Sequence, residues 1–186
     1  MNILVFSASP NKKGNTHNLM EKFLEGLEGN KEIIEVYDKK IGACIDCKYC
    51  YKVENCAIKD DMIEIYDKIK KSDVIVIATP MYFSGVTAPL KALIDRLQVY
   101  WSKKYIRKDR FDIKPKRGVI LATGGSSWPD MFRPVEETLL FAMAAMDAKV
   151  EEKIYVESTD KLPVKDNEKL LEEVYEKAAK FNDKKI

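Results

Sequence analysis

Five apolar stretches of strand length, each followed by apolar residues at helical spacing, leave this chain few folds to choose from. Residues 2–7 (NILVFS) form the first stretch, and after a polar loop Leu19, Met20, Phe23, Leu24 and Leu27 recur at helical intervals. Residues 32–37 (EIIEVY) read as a second strand, with a helical stripe at Met62, Ile65, Tyr66 and Ile69 and Asp60 or Asp61 as its N-cap. Residues 73–78 (DVIVIA) are a third strand, followed by Val86, Leu90, Leu93, Ile94 and Leu97 on one helix face. Residues 117–122 (RGVILA) are a fourth, and Pro134 suits the first turn of a helix that has Glu136 and Glu137 near its electropositive start. Val150, Ile154 and Val156 mark a fifth strand, and Leu170, Leu171, Val174, Tyr175 and Ala178 a closing helix. Strands that alternate with helices and are apolar on both sides predict an α/β fold, a doubly wound parallel sheet with helices on both faces. Such sheets bind ligands beyond the carboxyl ends of their strands.

At 186 residues, with 46% hydrophobic residues and 33% charged, the chain has the length and composition of one folded domain rather than a disordered tail. Its net charge of +2 provides no global attraction to nucleic acid or to an anionic membrane, so no partner of either kind is expected. No apolar run is long enough to span a bilayer, and MNILVFSAS lacks the basic start and cleavage site of a signal peptide, which predicts a cytoplasmic chain.

Three loops at the expected ligand edge stand out. Residues 7–16 (SASPNKKGNT) combine small hydroxyls, a glycine and a helix start, the ingredients of a phosphate cradle. They match neither the dinucleotide nor the triphosphate glycine motif, which leaves a monophosphate. The competing reading is an ordinary turn in which Asn15 or Thr16 caps the helix. Residues 79–85 (TPMYFSG) place two aromatics and a proline where a flat ring could lie, and residues 123–127 (TGGSS) offer glycine-opened backbone donors with Trp128 close behind.

All four cysteines fall in one run, Cys44-x2-Cys47-x2-Cys50-x5-Cys56. Packing alone would scatter them, and in a cytosolic chain such a run reads as a metal or redox site before a disulfide framework. The spacing suits four thiolates around one iron-sulfur cluster; a closed zinc site and oxidisable free thiols are the alternatives.

Taken together, SASPNKKGNT, the cysteine loop followed by IKDDM, TPMYFSGVTAPLKALIDR and ATGGS resemble the flavodoxin-like NAD(P)H-dependent FMN reductases, and most nearly their iron-sulfur flavoprotein branch. The resemblance spans about residues 1–148. It implies a single flavodoxin-like FMN-binding domain over 1–186, strand order 2-1-3-4-5, a cysteine-rich loop at 42–58 and a basic insertion at 99–116. It implies the FMN phosphate on Ser9, Asn11, Gly14, Asn15 and Thr16, and the ring beside Pro80, Met81, Tyr82, Phe83 and Ser84. It implies further contacts from Thr123, Gly124 and Gly125, and, with the cysteine spacing, an expected 4Fe-4S cluster on Cys44, Cys47, Cys50 and Cys56. Asn11 stands where the family usually has arginine, and Lys12 or Lys13 is the expected substitute. Catalytic side chains are not expected, because flavin chemistry resides in the cofactor. The lone His17 reads as a surface or phosphate-adjacent residue.

The implied activity is electron transfer between reduced carriers, NAD(P)H or ferredoxin, and a small acceptor such as a quinone, a flavin or an oxygen species. The alternatives are a cluster-free NAD(P)H-dependent FMN or quinone reductase, a flavodoxin-type carrier without turnover, and a zinc-stabilised interaction module. A homodimer or homotetramer is expected, with Tyr100 and Trp101 placed to cover a partner subunit's flavin. The run Lys103, Lys104, Arg107, Lys108, Arg110, Lys114, Lys116 and Arg117, partly relieved by Asp109 and Asp112, reads as a solvated loop or, less often, as a dock for an acidic electron carrier or for NADPH phosphates. Asp95 and Arg96 read as a structural or interface pair.

Overall fold

The computed structural model describes residues 1–109 and 114–183; Arg110 and Asp112 of the basic run lie outside them. Five strands, β1 (Asn2–Ser7), β2 (Asn30–Glu35), β3 (Val74–Pro80), β4 (Lys116–Thr123) and β5 (Ala148–Val156), form one parallel sheet in the order 2-1-3-4-5. Six helices accompany them: α1 (Asn15–Gly26), α2 (Met62–Lys71), α3 (Ala88–Arg96), α4 (Gln98–Tyr105), α5 (Arg133–Ala145) and α6 (Glu168–Asn182).

The period of two along each inner strand divides the core in two. Leu4, Phe6, Ile75, Ile77, Ile120 and Ala122 face the layer of α2, α3 and α5, where Ile65, Leu93 and Leu139 meet them. Their neighbours Ile3, Val5, Val74, Val76, Val119 and Leu121 face α1 and α6 through Phe23, Leu24 and Val174. Burial on both sides is why these strands are apolar throughout, whereas the outer strand β2 keeps mostly exposed residues. The chain leaves β1 toward β2 on one side and enters β3 on the other, so a crevice opens where the winding reverses.

Three local expectations change. The second strand begins two residues earlier than predicted, pairing Asn30 with Asn2, and residues 36–38 turn away as a short 3-10 segment. Residues 99–105, expected to belong to the loop-like insertion at 99–116, lie in helix α4, with Val99, Ser102 and Lys103 on its buried side. A stripe containing serine and lysine carries no apolar period, so contacts elsewhere in the chain specify this helix. At the start of α2 neither aspartate caps as expected. Asp61 occupies the cap position but accepts from the Lys40 amide at 2.8 Å, while Asp60 accepts from the Met62 amide at 3.1 Å.

Candidate functional site

The three singled-out loops meet at the carboxyl edge of the sheet. In the first, Ser9 Oγ accepts from the Asn11 amide at 3.3 Å, Asn11 Oδ1 accepts from the Lys13 amide at 3.0 Å, and the Gly14 amide donates to Asn11 O at 3.0 Å. Helix α1 then begins after Gly14 with no side-chain cap. Its first-turn amides have no intrahelical acceptor and carry the positive end of the helix dipole, which is the chemistry of an anion site.

Neither Asn15 nor Thr16 acts as the cap. Asn15 Oδ1 accepts from the Val164 amide at 2.9 Å and its Nδ2 donates to Thr159 O, so this side chain holds the segment after β5. Thr16 Oγ1 lies 2.6 Å from Thr123 Oγ1, a buried tie between the first loop and the end of β4. Thr123→Val should cost about 1–3 kcal/mol in denaturant unfolding because it strands a buried hydroxyl, and adding Thr16→Val should recover most of that loss. Lys12 pairs with Asp38 at 2.6 Å, leaving Lys13 as the cation without that commitment. His17 keeps a buried Nδ1 without a partner among the described residues, and its Nε2 stands 3.8 Å from Glu21.

The second loop leaves β3 at Pro80. The Met81 amide donates to Thr123 O at 2.8 Å, and Tyr82 and Gly85 exchange backbone hydrogen bonds at 3.0 and 2.9 Å across a two-residue turn. That turn places Phe83 at φ 49° and Ser84 at φ 59°, a conformation that glycine or asparagine normally supplies and that costs side-chain-bearing residues about 1–3 kcal/mol each. It turns Phe83 wholly into solvent rather than inward.

In the third loop Gly124 O accepts from the Thr159 amide at 3.1 Å, and Gly125 O accepts from the Asp160 amide at 3.3 Å. A Cβ on Gly125 would stand 2.4 Å from Asp160 Oδ2, and one on Gly124 would stand 2.4 Å from Met131 Cε. The notch at Gly125 is therefore filled by a carboxylate from the segment after β5. An open cleft of about 590 Å³ runs between the second and third loops, lined by Met81, Tyr82, Ser84, Gly125, Trp128 and Asp160. Asp160 was not foreseen from sequence; its only signal was its position four residues past the end of the fifth strand, at the same sheet edge.

The cysteine loop forms a separate feature. Cys44, Cys47, Cys50 and Cys56 line one small cavity together with Tyr51, Ile58 and Arg96. Cys44 and Cys47 are exposed and Cys50 and Cys56 half-buried, with Cys50 Sγ 3.3 Å from Ser102 Oγ. Asp46 and Lys48, at φ 51° and 57°, flank Cys47 in left-handed conformations that wind the loop around the cavity. Among the described residues no three His, Cys, Asp or Glu side chains gather closely enough to hold one metal ion. The four thiols thus line a shared space without converging on one point, an arrangement that departs most from a tetrahedral zinc site.

Arg96 closes this loop. Its side chain is fully buried, and it pairs with Asp60 rather than with Asp95, which pairs with Lys91 at 2.7 Å. Arg96 Nη1 donates to Gly42 O at 2.8 Å and Asp60 Oδ2 at 2.7 Å, and Nη2 donates to Ile58 O at 3.2 Å and Asp60 Oδ1 at 3.0 Å. Asp60 Oδ2 also accepts from the Gly42 amide at 2.8 Å. Burial pushes the Asp60 carboxyl up, but the hydrogen bonds from Arg96 and from the Gly42 and Met62 amides outweigh it and hold the group below the usual carboxylate range.

Most of the described part of the basic run is paired within the chain rather than left as a solvated loop. Lys103 pairs with Glu54 at 2.9 Å, and Arg107 donates to Cys50 O and Val53 O, so α4 and the turn after it clasp the cysteine loop. Lys104 pairs with Asp147 at 2.6 Å, Lys114 pairs with Asp73, and Arg117 pairs with Glu151 at 2.9 Å and lies over the Phe181 ring. Lys116 is buried and donates to Lys114 O, while Lys108 is exposed. Tyr100 turns inward, donating to Tyr66 O at 2.7 Å, whereas Trp101 lies half-exposed between Tyr51 and Tyr105.

A parallel sheet in this order, with a reversal-point crevice and an uncapped helix start at its carboxyl edge, defines the flavodoxin-like class of α/β protein. The chain belongs to the NADPH-dependent FMN reductase family, whose profile matches residues 1–159, and is thereby a flavin-dependent oxidoreductase. It is 36% identical over 141 residues to an iron-sulfur flavoprotein of Archaeoglobus fulgidus, a stretch covering 75% of this chain and 70% of that one. It is also 36% identical over 131 residues to an iron-sulfur flavoprotein of Methanocaldococcus jannaschii, covering 68% of this chain and 63% of the relative's own length. In fold it is similar to an NAD(P)H:quinone oxidoreductase from Methanothermobacter marburgensis, with a TM-score of 0.79 at 17% identity over 100% of this chain and 98% of that one. No helix among the described residues is long and apolar enough to cross a membrane.

Proposed function

We propose that this chain is an iron-sulfur flavoprotein: an oxidoreductase that holds FMN in the three-loop crevice and a 4Fe-4S cluster on Cys44, Cys47, Cys50 and Cys56. In this reading it passes electrons between NAD(P)H or ferredoxin and a small acceptor such as a quinone, a flavin or an oxygen species. The observation that carries it is that all four cysteines line one cavity together with the buried Arg96.

The residues supply the donor chemistry that each group would need. The phosphate would meet the first-turn amides of α1 and Ser9 in the loop organised by Asn11, with Lys13 the nearest uncommitted cation. Gly14, Asn15 and Thr16 would contribute through backbone, since the side chains of the latter two are engaged elsewhere. Pro80, Met81, Tyr82, Ser84, Thr123, Gly124 and Gly125 would bound the ring, with the exposed Phe83 at the rim of the same cleft. A bound flavin supplies the hydride and one-electron chemistry itself, and the protein orients and tunes it. Asp160 would set a negative charge at the cleft and oppose charge accumulating there. Exposed Phe83, Trp128 and Phe141 support assembly as a homodimer or homotetramer.

Iron, acid-labile sulfide, zinc and FMN per chain in anaerobically prepared protein test the reading. About four irons and four sulfides beside one FMN are expected, as befits one four-cysteine cluster. FMN without iron would leave a cluster-free NAD(P)H-dependent reductase, and zinc in place of iron would make the loop structural.

A further inference from the structure

Arg96 reaches both ends of the cysteine loop: it bonds Gly42 O, two residues before Cys44, and Ile58 O, two residues after Cys56. It lines the cysteine cavity, whereas its carboxylate partner Asp60 does not. Its two terminal nitrogens are committed to four acceptors, while Nε, also buried, has no partner among the described residues. A closing strap would need no charge; a cluster held by thiolates is anionic and becomes more so on reduction, and its potential responds to nearby charge and to donors near its sulfurs.

We infer that Arg96, given the cysteine centre proposed above, is a positioning residue with two duties: its guanidinium closes the loop at Gly42 and Ile58, and it keeps a buried positive charge and an uncommitted Nε–H beside the thiols for the anionic group they ligate. The two duties separate by substitution. Arg96→Lys keeps the charge and loses the two-ended fork. The double variant Arg96→Met/Asp60→Leu removes the buried pair as a unit, so the fold is not left with one uncompensated charge.

The test uses the full chain, prepared without oxygen, with three readings: iron and FMN per chain, the midpoint potential of the iron signal by electron paramagnetic resonance titration, and hydrogen exchange across 42–58. For Arg96→Lys, exchange across 42–58 should rise by about tenfold or more while the midpoint stays near the parent's. For the double variant FMN should remain, exchange should rise similarly, and retained iron should titrate at a more negative potential. Loss of its iron with FMN kept also supports the assignment. A double variant with the parent's exchange and midpoint overturns it. An iron-free parent would defeat the cluster reading by itself, and exchange across 42–58 in that protein would then decide the clasp: faster in the double variant upholds it, unchanged defeats it.

Discussion

A chain carrying Asp60→Ala is expected to unfold about 3–5 kcal/mol more easily than its parent, because it leaves the fully buried Arg96 guanidinium without its counter-charge. For a protein of this size that corresponds to a fall in melting temperature of roughly 10 °C, measured on parent and variant in the same cofactor state. The same carboxylate sets a pH dependence. A carboxyl held below its unfolded value of about 3.9 contributes stability that is complete at neutral pH and is lost as pH falls through the depressed native value. The parent should therefore lose the clasp only in strong acid. Asp60→Asn should be weakened at neutral pH and should flatten the acid limb of the stability profile. A D60A chain as stable as the parent would show that the pair contributes nothing net.

Cys56→Ala should lower iron from about four per chain to under about one while FMN stays at the parent's level, since a four-thiolate cluster deprived of a ligand does not persist. FMN should be spared because the cysteine cavity and the cleft between the second and third loops have no lining residue in common. Cys56 is the informative position: it is half-buried against the core near Arg96, whereas exposed Cys44 is more readily replaced by solvent or exogenous thiol. Metal and flavin analysis of the anaerobically purified variant reads the result. Unchanged iron would remove Cys56 from the ligand set, and loss of both groups would point to damaged packing.

Much of the site was legible because its signals are local. The cradle loop lies within ten residues, the TPMYFSG turn follows an apolar strand, and the cysteines sit in a run of thirteen. What failed to show were partners distant along the chain. Asp95 and Arg96 look like a pair in sequence, yet successive residues on a helix point to different sides, and the guanidinium meets Asp60 instead. Asn15 and Thr16 resemble helix caps, but their side chains are claimed by Val164 and Thr123. The basic run resembles a solvated loop until Glu54, Asp147, Asp73 and Glu151 reach it from other elements.

By itself, then, the sequence determined the alternation of strands and helices, the double-faced burial of the inner strands and the loops that gather at the carboxyl edge. These follow from period and turn chemistry, which act over a few residues. Tertiary structure alone decided that residues 98–105 become a helix, that a buried arginine closes the cysteine loop and that Asp160 enters the cleft. The physical reason is one and the same: a serine, a lysine or an arginine is buried only where a partner awaits it, and that partner is brought within reach only by the folded sheet.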